Sequence, residues 1–295
     1  MTARDHIGTS SLNPPADLPS PESVPTTVIE PANGWIPFKL GEIWAYRELL
    51  YFFVWANVKV QYKQTVLGAL WAIIQPFFTM IVFSIFFGRL AGIPSGDLPY
   101  PVFAYAALVP WTYFANVVSI SSNVLVQHQG VITKVFFPRV MMPFASVVGG
   151  LLDFTIALSV LGVLMAYYGI APSAAVIALP LLIAMASLTA TGVALWLSAL
   201  NVRYRDVRFI IPFLIQVWLF ATPVAYPTSL VPERWRPLYG LNPMAGVVDG
   251  FRWALLDQPA PSIGMLGVSV VVVLLLLFSG MTYFSRAERT FADVV

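Results

Sequence analysis

Few residues in this 295-residue chain have the types and spacing that chemistry requires. Cysteine is absent, and the two histidines, His6 and His128, stand far apart in sequence. Thiol chemistry and disulfides are thereby excluded, and a Cys/His zinc cluster is disfavoured. Among the acids, Asp153 differs from the rest because it interrupts an otherwise uncharged apolar stretch. A carboxylate in hydrocarbon costs several kcal/mol, so Asp153 must face a bundle interior, a partner cation or water. A proton relay would need a second acid or a histidine in the spans. Neither is there, which leaves a neutral or hydrogen-bonded structural aspartate as the expectation. No Gly-rich loop followed by Lys-Ser/Thr is present to cradle nucleotide phosphates, and the loops are too short for a nucleotide-binding fold. The chain is therefore expected to have no catalytic residues, no metal and no cofactor of its own. Any energy for transport would come from another polypeptide. A glycosyl or acyl transferase would need clustered His, Asp or Glu at one membrane face, and the acids here are dispersed. A secondary transporter would need several intramembrane polar residues and internal repeats, and these are not found.

The elements that hold these residues are set by hydropathy. The composition is 58% hydrophobic and 10% charged, against roughly 25% charged in soluble domains. A soluble core of this size has no room for so much apolar surface. The net charge of +2 gives no support to a polyanion or nucleic-acid partner. Uncharged runs predict an all-α polytopic membrane protein with six transmembrane helices near 66–88, 102–123, 141–168, 174–199, 209–223 and 262–284. Residues 1–35, with six prolines among Ser, Thr, Asp and Glu, read as a flexible tail. The remaining 36–295 form the transmembrane domain.

Orientation follows from Lys and Arg. With the N-terminus inside, twelve cations fall on inner segments and four, Arg89, Arg234, Arg236 and Arg252, on outer ones. This bias places both termini in the cytoplasm. Two segments are neither loop nor span. Residues 40–63 are too charged to cross and too aromatic to be free, which predicts an amphipathic helix in the inner interface. Residues 223–252 are punctuated by proline and half polar. They predict short re-entrant helices before the last span, with Arg234 and Arg252 reaching the outer water.

Four motifs carry a family resemblance: the run YFFVWANVKVQYKQTVLGALWAIIQPFF over 51–78, KVFFPR over 134–139, NVRYRDV over 201–207 and LNPM over 241–244. Together they resemble type-2 ABC export permeases for polysaccharide and polyol phosphate, the membrane subunits that move O-antigen or teichoic-acid chains. The likeness extends over about 40–290. It departs at Ala56, where relatives have a more charged run, so no cation is expected at that position.

The resemblance implies a second copy of the chain, two ATP-binding cassette subunits that use ATP and Mg, a polyprenyl-diphosphate-linked glycan and surrounding lipid as partners. It implies the bacterial inner membrane as the location. It places ATPase coupling at Lys134, Phe136, Phe137, Pro138 and Arg139, with Arg203, Arg205 and Asp206 on the next inner loop. Two adjacent aromatics flanked by cations suit an anchor in a groove of the ATPase. Trp55, Lys59, Tyr62 and Lys63 fall at the cytoplasmic entrance, against lipid headgroups. A threaded glycan slides over aromatic faces, and the candidates by position are Trp71, Phe78, Tyr105, Trp111, Tyr113 and Phe114. An O-antigen cargo is the first expectation and teichoic acid or another polyol phosphate the second.

Overall fold

The computed structural model describes residues 44–63, 68–132, 134, 137–204, 206–289 and 291. All of them belong to the second of the two units into which the chain divides, Met1–Trp35 and Ile36–Val295. The tail over 1–35, Phe136 and Arg205 lie outside the described residues.

Runs of Leu, Val, Ala and Phe without charge become helices because a helix satisfies its own backbone groups, which hydrocarbon demands. The main helices are α1 (Arg47–Lys63), α2 (Trp71–Phe83), α3 (Tyr100–Gln127) and α4 (Met141–Tyr167). They continue with α5 (Leu179–Arg203), α6 (Val207–Ala221), α7 (Pro243–Leu256) and α8 (Ile263–Glu288). An isolated bridge between Ser95 and Asp97 is the β-structure recorded among the described residues. Five segments are long and apolar enough to cross a membrane: Trp71–Leu90, Tyr100–Gln127, Met141–Tyr167, Ala174–Arg203 and Ile263–Glu288. The chain is a multi-pass, all-α membrane protein. α2 reaches crossing length by running on into the π-helical turn Ser84–Leu90. The expected span near 209–223 is α6, whose 15 residues extend about 22 Å and fall short of a 30 Å core. Pro223 stands two residues past its end, and proline supplies no N–H for continuing the ladder.

α3 is the central helix. Within its most apolar stretch 72% is buried, against 22% for α4 and for α8. Ala104, Ala106 and Ala107 are fully buried on it, and such small residues let neighbouring backbones come close. α5 and α8 approach even more tightly. A Cβ added to Gly280 would lie 2.6 Å from the Gly192 carbonyl oxygen. One turn away Trp196 stacks on Tyr283 with ring centroids 4.4 Å apart, and its Nε1 donates to Ser279 Oγ at 3.0 Å. A second core joins the C-terminal parts of α3, α5 and α8 to the start of α4, through Leu125, Phe137, Val140, Leu195 and Phe284. This end of the bundle carries Lys134, Arg139 and Arg203, and it is called the basic end below.

Between α6 and α7 the chain makes three short helical pieces, Thr228–Leu230, Glu233–Trp235 and Arg236–Tyr239. Asn242 organises their return. Its Oδ1 accepts from Met244 N at the start of α7 and from Trp218 Nε1 of α6 at 2.9 Å. Its Nδ2 donates to Thr222 Oγ1 at 2.9 Å and Ala221 O at 3.2 Å. One side chain thus caps one helix and closes the end of another. Asn242→Ala should cost about 1–2 kcal/mol as a lost cap, with more from the unpaired indole N–H. Asn242→Asp keeps the acceptor and should cost less. Thermal unfolding of the purified variants checks the order; equal losses would mean that the acceptor is not what matters.

Arg252 was expected at the outer surface, and the structure corrects this. It is 3% exposed. Its Nη1 donates to Pro223 O at 2.6 Å and Tyr226 O at 3.3 Å. Nη2 donates to Val224 O at 2.7 Å, and Nε donates to Phe103 O at 3.3 Å. The guanidinium also lies 3.6 Å from the Phe103 ring centroid. The broken backbone at 223–226 has carbonyls with no helical partner, and a planar five-donor cation is the side chain best able to collect them. Burial lowers the Arg252 pKa to about 10, opposed by Asp249. Burial likewise raises the Asp249 carboxyl, opposed by Arg252 and Arg236.

Candidate functional site

Asp153 stands twelve residues past the start of α4, about 18 Å along the helix axis. Its partners come from α1. Gln61 Nε2 donates to Oδ2 at 2.7 Å, and the Tyr62 hydroxyl donates to Oδ1. Both carboxylate oxygens thus have a partner from α1. Among the described residues no ion pair reaches Asp153. Burial first, then the bond to Asp153 and its charge, push the Tyr62 hydroxyl above the ordinary phenol range.

This contact defines how α1 lies. Phe53 packs on Phe137 with centroids 5.3 Å apart, Val58 faces Gly149, and Gln61 and Tyr62 reach Asp153. The matched order shows α1 running alongside the first half of α4. Its outer face, with Tyr51, Phe52 and Trp55, remains exposed.

α1, α2, α3 and α4 enclose a groove of about 280 Å³ with Asp153 on its wall. The groove follows α3 from Val109 to His128, about 28 Å of helix. α3 contributes Thr112, Asn116 and Gln127, with His128 just past its end; α1 contributes Asn57 and Gln61; α2 contributes Trp71 and Gln75. These amides and hydroxyls sit within helices otherwise built for lipid, where an unsatisfied polar group is costly. They make sense facing water or a polar ligand. Among the described residues, no three His, Asp or Glu gather closely enough to hold a metal.

Of the six aromatics expected along a path, Trp71 and Tyr113 line the groove. Tyr113 is anchored there by its hydroxyl, which donates to Val147 O at 3.2 Å and lies 2.9 Å from Ser187 Oγ. Tyr105, Trp111 and Phe114 are packed inside the protomer, Trp111 against Phe114 at 5.5 Å and Phe114 against Trp218 at 5.0 Å. The reason is the central place of α3, which meets a neighbouring helix on most of its faces. Phe78 is exposed on α2 and does not line the groove. Sequence reasoning passed over Asn57, Gln61, Gln75, Thr112 and Asn116. The signal available was the four-residue spacing of Thr112 and Asn116 on one helical stripe.

Of the residues assigned to the entrance, Trp55 is exposed with Lys59 Nζ 5.4 Å from its ring centroid. Lys63 is exposed at the end of α1. At the basic end Lys134, Arg203 and Asp206 are exposed, and Pro138 and Arg139 are half-buried. The Arg139 backbone N–H donates to Glu288 Oε1 at 2.9 Å, and its Nη1 donates to Glu288 O at 2.8 Å. Phe137 is 5% exposed. It is an internal contact between α1 and the α3–α4 connection, not a free apolar anchor as its sequence context suggested.

A family model described as ABC-2 type transporter matches residues 48–256. The O-antigen export system permease protein RfbA of Myxococcus xanthus is 29% identical over 258 residues, covering 86% of this chain and 98% of that protein. Its namesake from Klebsiella pneumoniae is 28% identical over 247 residues, covering 81% and 92%. The polysialic acid transport protein KpsM of Escherichia coli is 22% identical over 238 residues, covering 79% and 91%. The family match takes in nearly all of α1 and every helix through α7, so this chain belongs to the ABC-2 type transporter family of membrane permeases.

Proposed function

We propose that the chain is the channel-forming membrane subunit of an ATP-driven exporter that moves a lipid-linked polysaccharide of the O-antigen type out of the cytoplasm across the bacterial inner membrane. It works as two copies bound by two ATP-binding cassette subunits, which hydrolyse ATP with Mg. The glycan is carried on polyprenyl diphosphate. Both termini are cytoplasmic, the basic end is the cytoplasmic end, and the segment over 223–252 dips into the outer leaflet and returns. The observation that carries this reading is the groove: amides, hydroxyls and Asp153 set among apolar residues, with Trp71 and Tyr113 on its wall, following about 28 Å of α3 in a bundle otherwise built for lipid. A long chain threaded through such a path needs no enclosing pocket. The names of the two RfbA relatives, O-antigen export system permease proteins, support the cargo class.

The purified chain should hydrolyse no ATP. With its cognate ATPase in proteoliposomes, the lipid-linked glycan should cross only while ATP is consumed. Hydrolysis by the chain alone, lost on substitution within this sequence, would overturn the assignment.

Coupling lies on the exposed polar residues of the basic end, Lys134, Arg203 and Asp206, with Pro138 and Arg139 behind them. Phe137, being internal, holds the connection in shape. Lys134→Glu combined with Arg203→Glu should reduce recovery of the ATPase in pull-downs about tenfold, as expected when interface charges change sign, at equal membrane abundance. Full recovery together with normal export would move the coupling surface elsewhere.

A further inference from the structure

Membership of the family leaves open whether the cargo is charged, and the lining of the groove bears on that question. Its charged wall residue is Asp153, and among the described residues no Lys or Arg lines it. Lys59 and Lys63, the nearest cations along α1, are outside the lining, and Lys59 is turned to Trp55. His128 at the basic end and Tyr113 are the other titratable side chains on the lining. The other polar residues on the lining, Asn57, Gln61, Gln75, Thr112 and Asn116 among them, are amides and hydroxyls.

We infer that the groove is a binding path for an uncharged, hydroxyl-rich chain, that it rejects polyanions, and that Asp153 sets this selection. The inference rests on the export reading and concerns the glycan chain, not the diphosphate that anchors it to lipid. A carboxylate and amides bind neighbouring hydroxyl groups well, because the carboxylate accepts while each amide both donates and accepts. The Trp71 and Tyr113 rings offer flat apolar faces to the C–H side of a sugar. A phosphodiester or carboxylated chain would meet a like charge in a cleft whose apolar walls strengthen the field, with no cation to offset it. Gln61 and Tyr62 occupy the Asp153 oxygens. Hydroxyls of the ligand replace those donors one for one, so the carboxylate is never left bare. A symmetric second copy would bring a second Asp153 with it. A polyol-phosphate cargo is therefore disfavoured for this chain.

The test uses the absence of cysteine in the 295-residue sequence. Single cysteines are placed on the groove-lining stripe of α3, as Asn116→Cys or Ile120→Cys, in the chain reconstituted with its ATPase. Modification rates are measured with a trimethylammonium-ethyl and a sulfonatoethyl methanethiosulfonate, each normalised to its rate with a free thiol. The cation should be favoured about tenfold, the scale on which charged clefts concentrate counter-ions. Asp153→Asn, which keeps the shape and an acceptor, should bring the ratio close to unity. Asp153→Glu should retain it, and this variant guards against a trivial loss of structure. A ratio that Asp153→Asn leaves unchanged would overturn the inference. So would failure of both reagents at both positions, since a groove closed to water admits no hydrophilic chain. The rates are read without transport. Charge selection in a complex that exports nothing would therefore remove the export reading while leaving this one in place, and the converse result would do the opposite.

Discussion

Arg252→Ala should be the most damaging single substitution outside the groove, lowering the melting temperature of the purified protein by about 10 °C or more and sharply reducing its abundance in the membrane. The guanidinium is the shared donor for carbonyls of Phe103, Pro223, Val224 and Tyr226. Without it, several buried acceptors lose their partner at once, at about 1–3 kcal/mol for each one left unsatisfied. Asp249, which sits 3.9 Å from Nη1, would also keep a buried charge with less to offset it. Arg252→Lys should rescue little. An ammonium is a point donor and lacks the planar fork that reaches α3 on one side and the broken segment on the other. A melting temperature within two or three degrees of the parent for both variants would show that the four carbonyls find water or other donors.

Gly280→Val should separate α5 from α8, with a cost of about 1–3 kcal/mol from overpacking alone. The new Cβ would stand 2.6 Å from the Gly192 carbonyl oxygen and 3.2 Å from the Trp196 ring. A backbone oxygen has no rotamer by which to move aside, so the helices must part. Parting them breaks the Trp196–Ser279 hydrogen bond and the Trp196–Tyr283 stack. Gly192→Val meets the same obstacle, 2.9 Å from the backbone at Leu276 and Leu277. Gly264→Ala and Gly267→Ala are controls on α8, because nothing lies within 4 Å of an added Cβ there. They should be neutral or stabilising by about 0.5–1 kcal/mol from lost unfolded-state entropy. Thermal unfolding in detergent separates the two groups; indistinguishable melting for Gly280→Val and Gly267→Ala would mean that α8 is free to shift.

The membrane class and the order of the helices were legible in the residues because both depend on local information. A carboxylate or a lysine is tolerated poorly in hydrocarbon wherever the rest of the chain goes, so uncharged runs mark α2 to α5 and α8 within a few positions. The same logic read 209–223 as a sixth span, but α6 has only 15 residues and ends before Pro223. Asp153 was legible as a residue in need of a partner. That the partners are Gln61 and Tyr62 was not, because they lie 92 and 91 positions away and nothing local links the two places.

Arg252 shows the same limit in reverse. Counted by sequence it is one more outer cation. Only the fold brings the free carbonyls at 223–226 and Phe103 around it and makes burial tolerable. The aromatics of α3 were misjudged for a related reason: hydropathy tells lipid from water, but not lipid from a neighbouring helix. Tyr113 meets the groove while Tyr105 and Phe114 meet other helices, a difference decided by how α3 is rotated within the bundle. Local free energies of transfer set what crosses the membrane. The groove and the carboxylate on its wall arise from side-chain pairings between distant segments, and those exist only once the helices have packed.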